Sequence, residues 1–152
     1  MSQKNNNTPA VADALNALLA DSFALYLKTK NYHWHVQGPR FRELHLLFDE
    51  QAAQIFATTD LIAERVRKND AATLRSIGDI SRHQSIKDDD AASVDAETMV
   101  RNLAADNETL LAQLKDAKTA AEADGDIATS GLVDGWADET EQRIWFLKAT
   151  LA

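Results

Sequence analysis

Residues 31–65 read NYHWHVQGPRFRELHLLFDEQAAQIFATTDLIAER, two amphipathic segments hinged at Gly38-Pro39. The stretch holds His33, His35 and His45, three of the chain's 4 histidines, together with Asp49, Glu50, Asp60 and Glu64. Imidazoles and carboxylates set among apolar residues are the donors that a nitrogen/oxygen metal site needs. Before the hinge, small or apolar residues recur with helical period at Leu15, Leu18, Leu19, Ser22, Leu25, Tyr26, Thr29 and Tyr32. Thr8-Pro9 reads as an N-cap followed by proline at the first helical position, so a first helix is expected from there to about Val36. His33 lies five turns after Leu15 and falls on the buried face. After the hinge, Leu44, Phe48, Ala52, Ile55, Thr59, Ile62 and Val66 predict a second helix over 41–69 without internal Gly or Pro.

Outward from this hairpin the pattern weakens and then resumes. Residues 1–7 form an Asn-rich tail with one lysine, Lys4, and nothing to bury. Residues 70–94 break the helical period at Gly78 and at the Lys87-Asp88-Asp89-Asp90 cluster, which predicts a long crossover with a short helix near Ile77 to His83. Asp95 suits an N-cap for a third helix through Met99, Val100, Leu103, Asn107, Leu110, Leu111 and Leu114, ending at the acidic turn 122–126. A fourth follows through Ile127, Leu132, Trp136, Ile144, Trp145 and Leu147, with both tryptophans as packing residues. The expected fold is therefore all-α: one domain, 8–152, in a ferritin-like four-helix bundle whose long crossover joins the second and third helices.

Composition narrows the chemistry. A chain of 152 residues without a single Cys has no disulfides, thiolate zinc sites, iron–sulfur clusters or thiol catalysis. The polar start has no apolar leader and no run approaches bilayer-spanning length, so a soluble, cytoplasmic protein is expected. The net charge of -8 is uneven: residues 1–87 carry 11 basic against 9 acidic groups, the remainder 5 against 15. An acidic second half attracts cations and repels phosphate backbones.

On a helical wheel, Asp49, Asp60 and Glu64 fall roughly 40°, 60° and 100° from His45, on one arc. Along the axis, however, Asp49 and Asp60 are on the order of 16 Å apart, too far to share an ion. They form two i,i+4 half-sites, His45 with Asp49 and Asp60 with Glu64, each incomplete. A second copy of this helix crossing antiparallel near Gln54 or Ile55 would complete both, giving two equivalent sites about 22 Å apart. His33 joins the first half, because it precedes Pro39 by as many residues as His45 follows it. Taken singly, His33 or His45 also reads as a hydrogen-bonded interface histidine, and Asp60 or Glu64 as a solvated charge or a partner of Arg65 or Lys68. His35 is turned away from His33, His83 reads as a surface residue, Glu50 as a solvated charge and Trp34 as interface packing.

The pattern His33-Trp34-x-Val36-x-Gly38-x-x-Phe41-x-x-Leu44-His45-x-x-Phe48-Asp49-Glu50, followed by Asp60-x-Ile62-Ala63-Glu64-Arg65, resembles the Dps family of mini-ferritins. The resemblance implies a hollow homododecamer of tetrahedral symmetry with ferroxidase centres at its two-fold interfaces. These would oxidise Fe(II) to Fe(III), preferably with hydrogen peroxide, store the ferric mineral and protect against oxidative damage. By motif match, His33, His45, Asp49, Asp60 and Glu64 would be the iron ligands, and Trp34 the tryptophan beside the centre that passes or traps an electron. Asp124, Asp126 and Asp134 are expected either to line a cation access pore or to form a solvated turn. The alternative function is a nucleoid-associated protein that condenses DNA through its multiple tails. Tails that bind DNA in this family usually carry several basic residues, whereas this one offers Lys4, so weak or absent DNA binding is expected.

Overall fold

The computed structural model describes residues 9–152, so the expected tail (1–7) and the Thr8 cap lie outside the described residues. Among the described residues the chain forms α1 (Ala10–His35), α2 (Phe41–Lys68), α3 (Ile77–His83), α4 (Ala96–Asp124) and α5 (Ile127–Ala149), with no strand. Pro9 stands at the N-cap of α1, one position before its expected place, and its carbonyl accepts from Asp13 N at 3.0 Å. Asp95 and Asp126 cap α4 and α5 by accepting from Thr98 N at 2.9 Å and Thr129 N at 3.1 Å. α2 ends at Asp70, whose φ of 61° is left-handed, with Ala71 N bonded back to Val66 O and Asp70 N to Arg67 O. α4 ends in the same way at Gly125, φ 71°, where glycine meets no steric penalty.

The topology follows from which side chains meet. Contacts walk outward from the Gly38-Pro39 hinge in antiparallel register: His33 stacks on His45, Tyr32 lies beside Phe48, and Tyr26 packs on Phe56. α4 is also antiparallel to α1, with Lys28 paired to Asp106 at 2.9 Å, Asn102 donating to Tyr32 Oη at 3.0 Å and Gln113 donating to Asp21 at 2.6 Å. α5 then returns along α4, where Lys118 meets Asp134 at 2.7 Å and Lys148 meets Glu108 at 2.8 Å. α2 and α4 thus run parallel, and only a connection as long as the bundle can join them. Residues 69–95 make it, with α3 in their middle. This is the ferritin-like arrangement of a four-helix bundle with one long crossover.

α1 is the hub. By length and composition alone it is apolar enough to cross a bilayer, contrary to the expectation that no run is, but half of its most apolar window is buried inside the bundle. Its apolarity comes from contacts on several sides, with α2, α4 and the crossover helix α3. The fully buried Asp21 is saturated by Ser85 N, Ser85 Oγ, Ile86 N and Gln113 Nε2, which pins the crossover to α1 and α4. Trp136 is half-buried as expected, whereas Trp145 is 66% exposed and meets Phe146 edge-on. It sits two residues from buried Arg143 and from buried Leu147, which turns it to the opposite face of α5.

Asp126 is not a solvated turn residue. It binds Arg65 Nη2 and Asn69 Nδ2, each at 3.0 Å, and Thr129 Oγ1 at 2.6 Å, tying the end of α2 to the start of α5. Partial burial raises its carboxyl, but the bonds from Thr129 and Asn69 and the charge of Arg65 outweigh burial and hold it at about 2. Asp134 is paired with Lys118, and Asp124 is exposed at the end of α4. Since the folded value of Asp126 lies below that of the unfolded chain, its stabilisation is complete above about pH 5 and is lost as pH falls toward about 2. Asp126→Ala is expected to lower the urea-unfolding free energy by ~2 kcal/mol at neutral pH, and the deficit should shrink steadily below about pH 4. A deficit that does not change with acid would show that the carboxylate charge contributes nothing.

Candidate metal centre

The hinge turns α2 back along α1 so that His33, His45 and Asp49 meet at one edge. His33 Nδ1 donates to His45 O and His45 Nδ1 donates to His33 O, both at 2.7 Å. The two rings stack at 4.0 Å and 13°, and Phe41 extends the stack 4.8 Å from His45. A carbonyl oxygen has no hydrogen to give, so Nδ1 must carry it in both rings, which leaves Nε2 as the nitrogen available to a metal ion. Backbone carbonyls preset metal-binding imidazoles in this way. His33 Nε2 lies 3.7 Å from Asp49 Oδ1.

Asp49 already has a cationic neighbour. Lys30, one turn before His33, donates to Asp49 Oδ1 at 2.8 Å, and this bond holds the carboxyl below its usual range against a small opposing effect of burial. The same ammonium stands 6.0 Å from the ring centroid of Trp34, itself 57% exposed. Asp60 and Glu64 lie further along α2, both exposed. Arg65, a partner expected for them, instead binds Asp126 and Thr129, at 3.0 and 2.9 Å. Among the described residues, no three His, Asp or Glu side chains of one chain close around a common point as an ion requires. His35 turns to Asn31 O at 2.9 Å, His83 lies 3.7 Å from Asp79 on the surface, and Glu50 is exposed.

Two residues at this edge escaped the sequence reading. Lys30 was legible in principle, one helical turn from His33 on the same face. Tyr32 was read only as a core residue. It is buried, donates to Asp89 Oδ2 at 2.5 Å and accepts from Asn102. Burial first, and then the bond to Asp89, raise its phenol well above the ordinary value. Asp89 is held low by that bond and by one from Ala91 N.

A helical bundle with one crossover and an imidazole–carboxylate edge defines a class, and comparison with known proteins agrees: the ferritin-like domain family matches residues 12–152. DNA protection during starvation protein 2 of Bacillus anthracis is 35% identical over 144 residues, 93% of this chain and 96% of that one. The crystal structure of a Dps protein from Bacillus brevis superposes with a TM-score of 0.92 at 31% identity, over 99% of this chain and 100% of that chain. A Dps protein from Vibrio cholerae O1, described as one of a broad superfamily of ferritin-like diiron-carboxylate proteins, gives 0.88 at 33% identity, over 93% and 89%. The chain belongs to the Dps family of ferritin-like proteins.

Lys30→Met removes the ammonium from Asp49. Calorimetric titration of the protein with Zn(II) is expected to show affinity raised on the order of tenfold. Unchanged or weaker binding would show that Lys30 does not compete with a cation there.

Proposed function

We propose that this protein is a mini-ferritin that oxidises Fe(II), preferably with hydrogen peroxide, at centres shared between subunits. It stores the ferric product in a hollow homododecamer and protects a cytoplasmic interior from oxidative damage. One observation carries the reading: the symmetry of the donors along α2. His45 and Glu64 are equidistant from the point between Gln54 and Ile55, and so are Asp49 and Asp60. A two-fold axis through that point, with two α2 helices antiparallel, brings the preset His33/His45/Asp49 edge of one subunit to Asp60 and Glu64 of the other. Exposed Ala53 and Ala57 beside the axis permit close approach of the helices. Leu27, Phe56, Leu61 and Ile77, all exposed in the single chain, supply apolar area for such an interface to bury.

The donor set suits the substrate. Nε2 of His33 and His45 favours Fe(II), and the three carboxylates offset the added charge of Fe(III). Two Fe(II) give up one electron each, and hydrogen peroxide takes both with two protons to become two waters, so no hydroxyl radical is released. Trp34, next to His33 in the chain, would pass or trap an electron that goes astray.

Substituting His45 and Asp49 together by Ala should abolish peroxide-driven Fe(II) oxidation, as should substituting Asp60 and Glu64. Co-assembling the two inactive variants should restore about a quarter of the rate, since each mixed interface regains one complete centre. No restoration would sink the shared-site reading.

DNA binding is the alternative that the name of the Bacillus anthracis relative raises. Twelve copies of a chain of net charge -8, with Lys4 as the one basic residue before Pro9, repel a phosphate backbone. No gel retardation is expected at physiological salt. Salt-sensitive retardation lost on removal of residues 1–8 would establish the alternative.

A further inference from the structure

The geometry points to Tyr32 and Asp89 as a proton-coupled redox pair that absorbs single-electron oxidations at the neighbouring centre. The source of the oxidant rests on the ferroxidase reading, whereas the pair itself does not. The phenol is fully buried, and its Oη donates to Asp89 Oδ2 at 2.5 Å while accepting from Asn102 Nδ2 at 3.0 Å. Asp89 is fixed in turn by Ala91 N on its other oxygen, at 3.1 Å. Tyr32 immediately precedes His33, and its ring lies 6.4 Å from that of Phe48, which immediately precedes Asp49. Tyr32 and Trp34 border one open cleft of about 790 Å³ that Asp89 also lines.

A tether for the crossover would account for the hydrogen bond but is already supplied elsewhere. Asp21 holds Ser85 and Ile86, Lys28 donates to Lys87 O at 2.8 Å, and Asn31 donates to Asp89 O at 3.0 Å. What the phenol–carboxylate contact adds is a proton acceptor. A phenol that loses an electron becomes a strong acid, and an unpaired cation in a buried site is costly. With Asp89 in place, the proton crosses the hydrogen bond as the electron leaves, and no net positive charge is created.

The oxidant is the hydroxyl radical formed when a single Fe(II) meets peroxide and yields Fe(III) and hydroxide. It takes one electron, directly or by way of Trp34, and becomes hydroxide. Tyr32 becomes a neutral phenoxyl radical, and Asp89 becomes the neutral acid. A second Fe(II) then returns an electron to Tyr32, Asp89 returns the proton, and Fe(III) is the product. The pair thus turns a damaging oxidation into a second turnover.

The test uses the assembled full-length protein and electron paramagnetic resonance, with the signal assigned by ring-deuterated tyrosine. In an iron-free arm, flash oxidation by a ruthenium tris-bipyridyl photo-oxidant should give a tyrosyl radical in wild type and in Tyr26→Phe, Tyr26 being the other of the chain's 2 tyrosines. The radical should be absent in Tyr32→Phe. It should fall on the order of tenfold or more in Asp89→Asn, which can still accept the hydrogen bond but cannot take the proton. In the second arm, substoichiometric Fe(II) with peroxide should give the same radical in wild type but not when His45 and Asp49 are both Ala. A radical that follows Tyr26, or an Asp89→Asn yield equal to wild type, overturns the pair. A radical under light but none from iron and peroxide overturns its link to the centre. Wild-type iron oxidation no faster than in the doubly substituted protein sinks the ferroxidase reading instead, and leaves the light-driven result standing.

Discussion

The reciprocal bonds between His33 and His45 fix the register on which every candidate ligand depends. The carbonyl of His33 lies in the last turn of α1, where helix geometry leaves it without a partner, and the imidazole of His45 supplies one. The imidazole of His33 returns the bond to α2. A slip of one residue would rotate either ring by about 100° and break both bonds. The Gly38-Pro39 hinge sets the length of the connection, and the stacked rings of Phe41, His45 and His33 fill the space that it encloses. The outer contacts of the hairpin, from Lys30–Asp49 to Tyr26–Phe56, inherit this register.

Locking donors to the rim of the hairpin leaves the bundle interior for other uses. Ferritin-like di-iron bundles hold metal between their helices with glutamates and Glu-x-x-His pairs. Here none of the histidines follows a Glu by three residues. The interior instead holds Arg143, 3% exposed, with Nε on Asn107 Oδ1 at 2.8 Å and Nη2 on Thr140 Oγ1 at 3.0 Å. Burial lowers this guanidinium to about 10, still charged at neutral pH. A fixed buried cation repels divalent ions from the bundle centre, which on the proposed reading leaves the surface of α2 for metal chemistry.

How much of this was legible in the sequence depends on whether a feature is local. α3 falls over Ile77–His83 and the Asp95 cap stands where period and cap chemistry put them, because both obey short-range rules. The separation of the two candidate half-sites was legible for the same reason: a helix is a rigid ruler, and the distance from Asp49 to Asp60 along α2 cannot be bent away. Features that need a partner from another helix were not. Nothing near Asp126 announces Arg65 and Asn69 from the end of α2, and nothing near Tyr32 announces Asp89 from the crossover. The apolarity of α1 was underestimated because a helix buried on several sides lacks the one-sided stripe of a surface helix. Trp145 was read as a packing residue by its type, although its phase relative to Arg143 and Leu147 turns it out of the core of its own chain.

Splitting a donor set between chains makes ion binding and assembly a single equilibrium. On the proposed reading, an ion that needs both halves binds the pair of subunits and not the lone subunit. It therefore strengthens the interface by the same free energy that the interface lends to ion binding. The single chain has its own reasons to associate, since Leu27, Phe56, Leu61 and Ile77 are exposed apolar groups on the faces flanking the donors. On the proposed reading assembly would not wait for iron, but oxidation would wait for assembly. On that reading iron would be oxidised only where a shell exists to hold the insoluble product, and the acidic second half of each chain would raise the local cation concentration around that shell. A site complete within one subunit would lack this safeguard, because it would convert Fe(II) to Fe(III) on any free monomer.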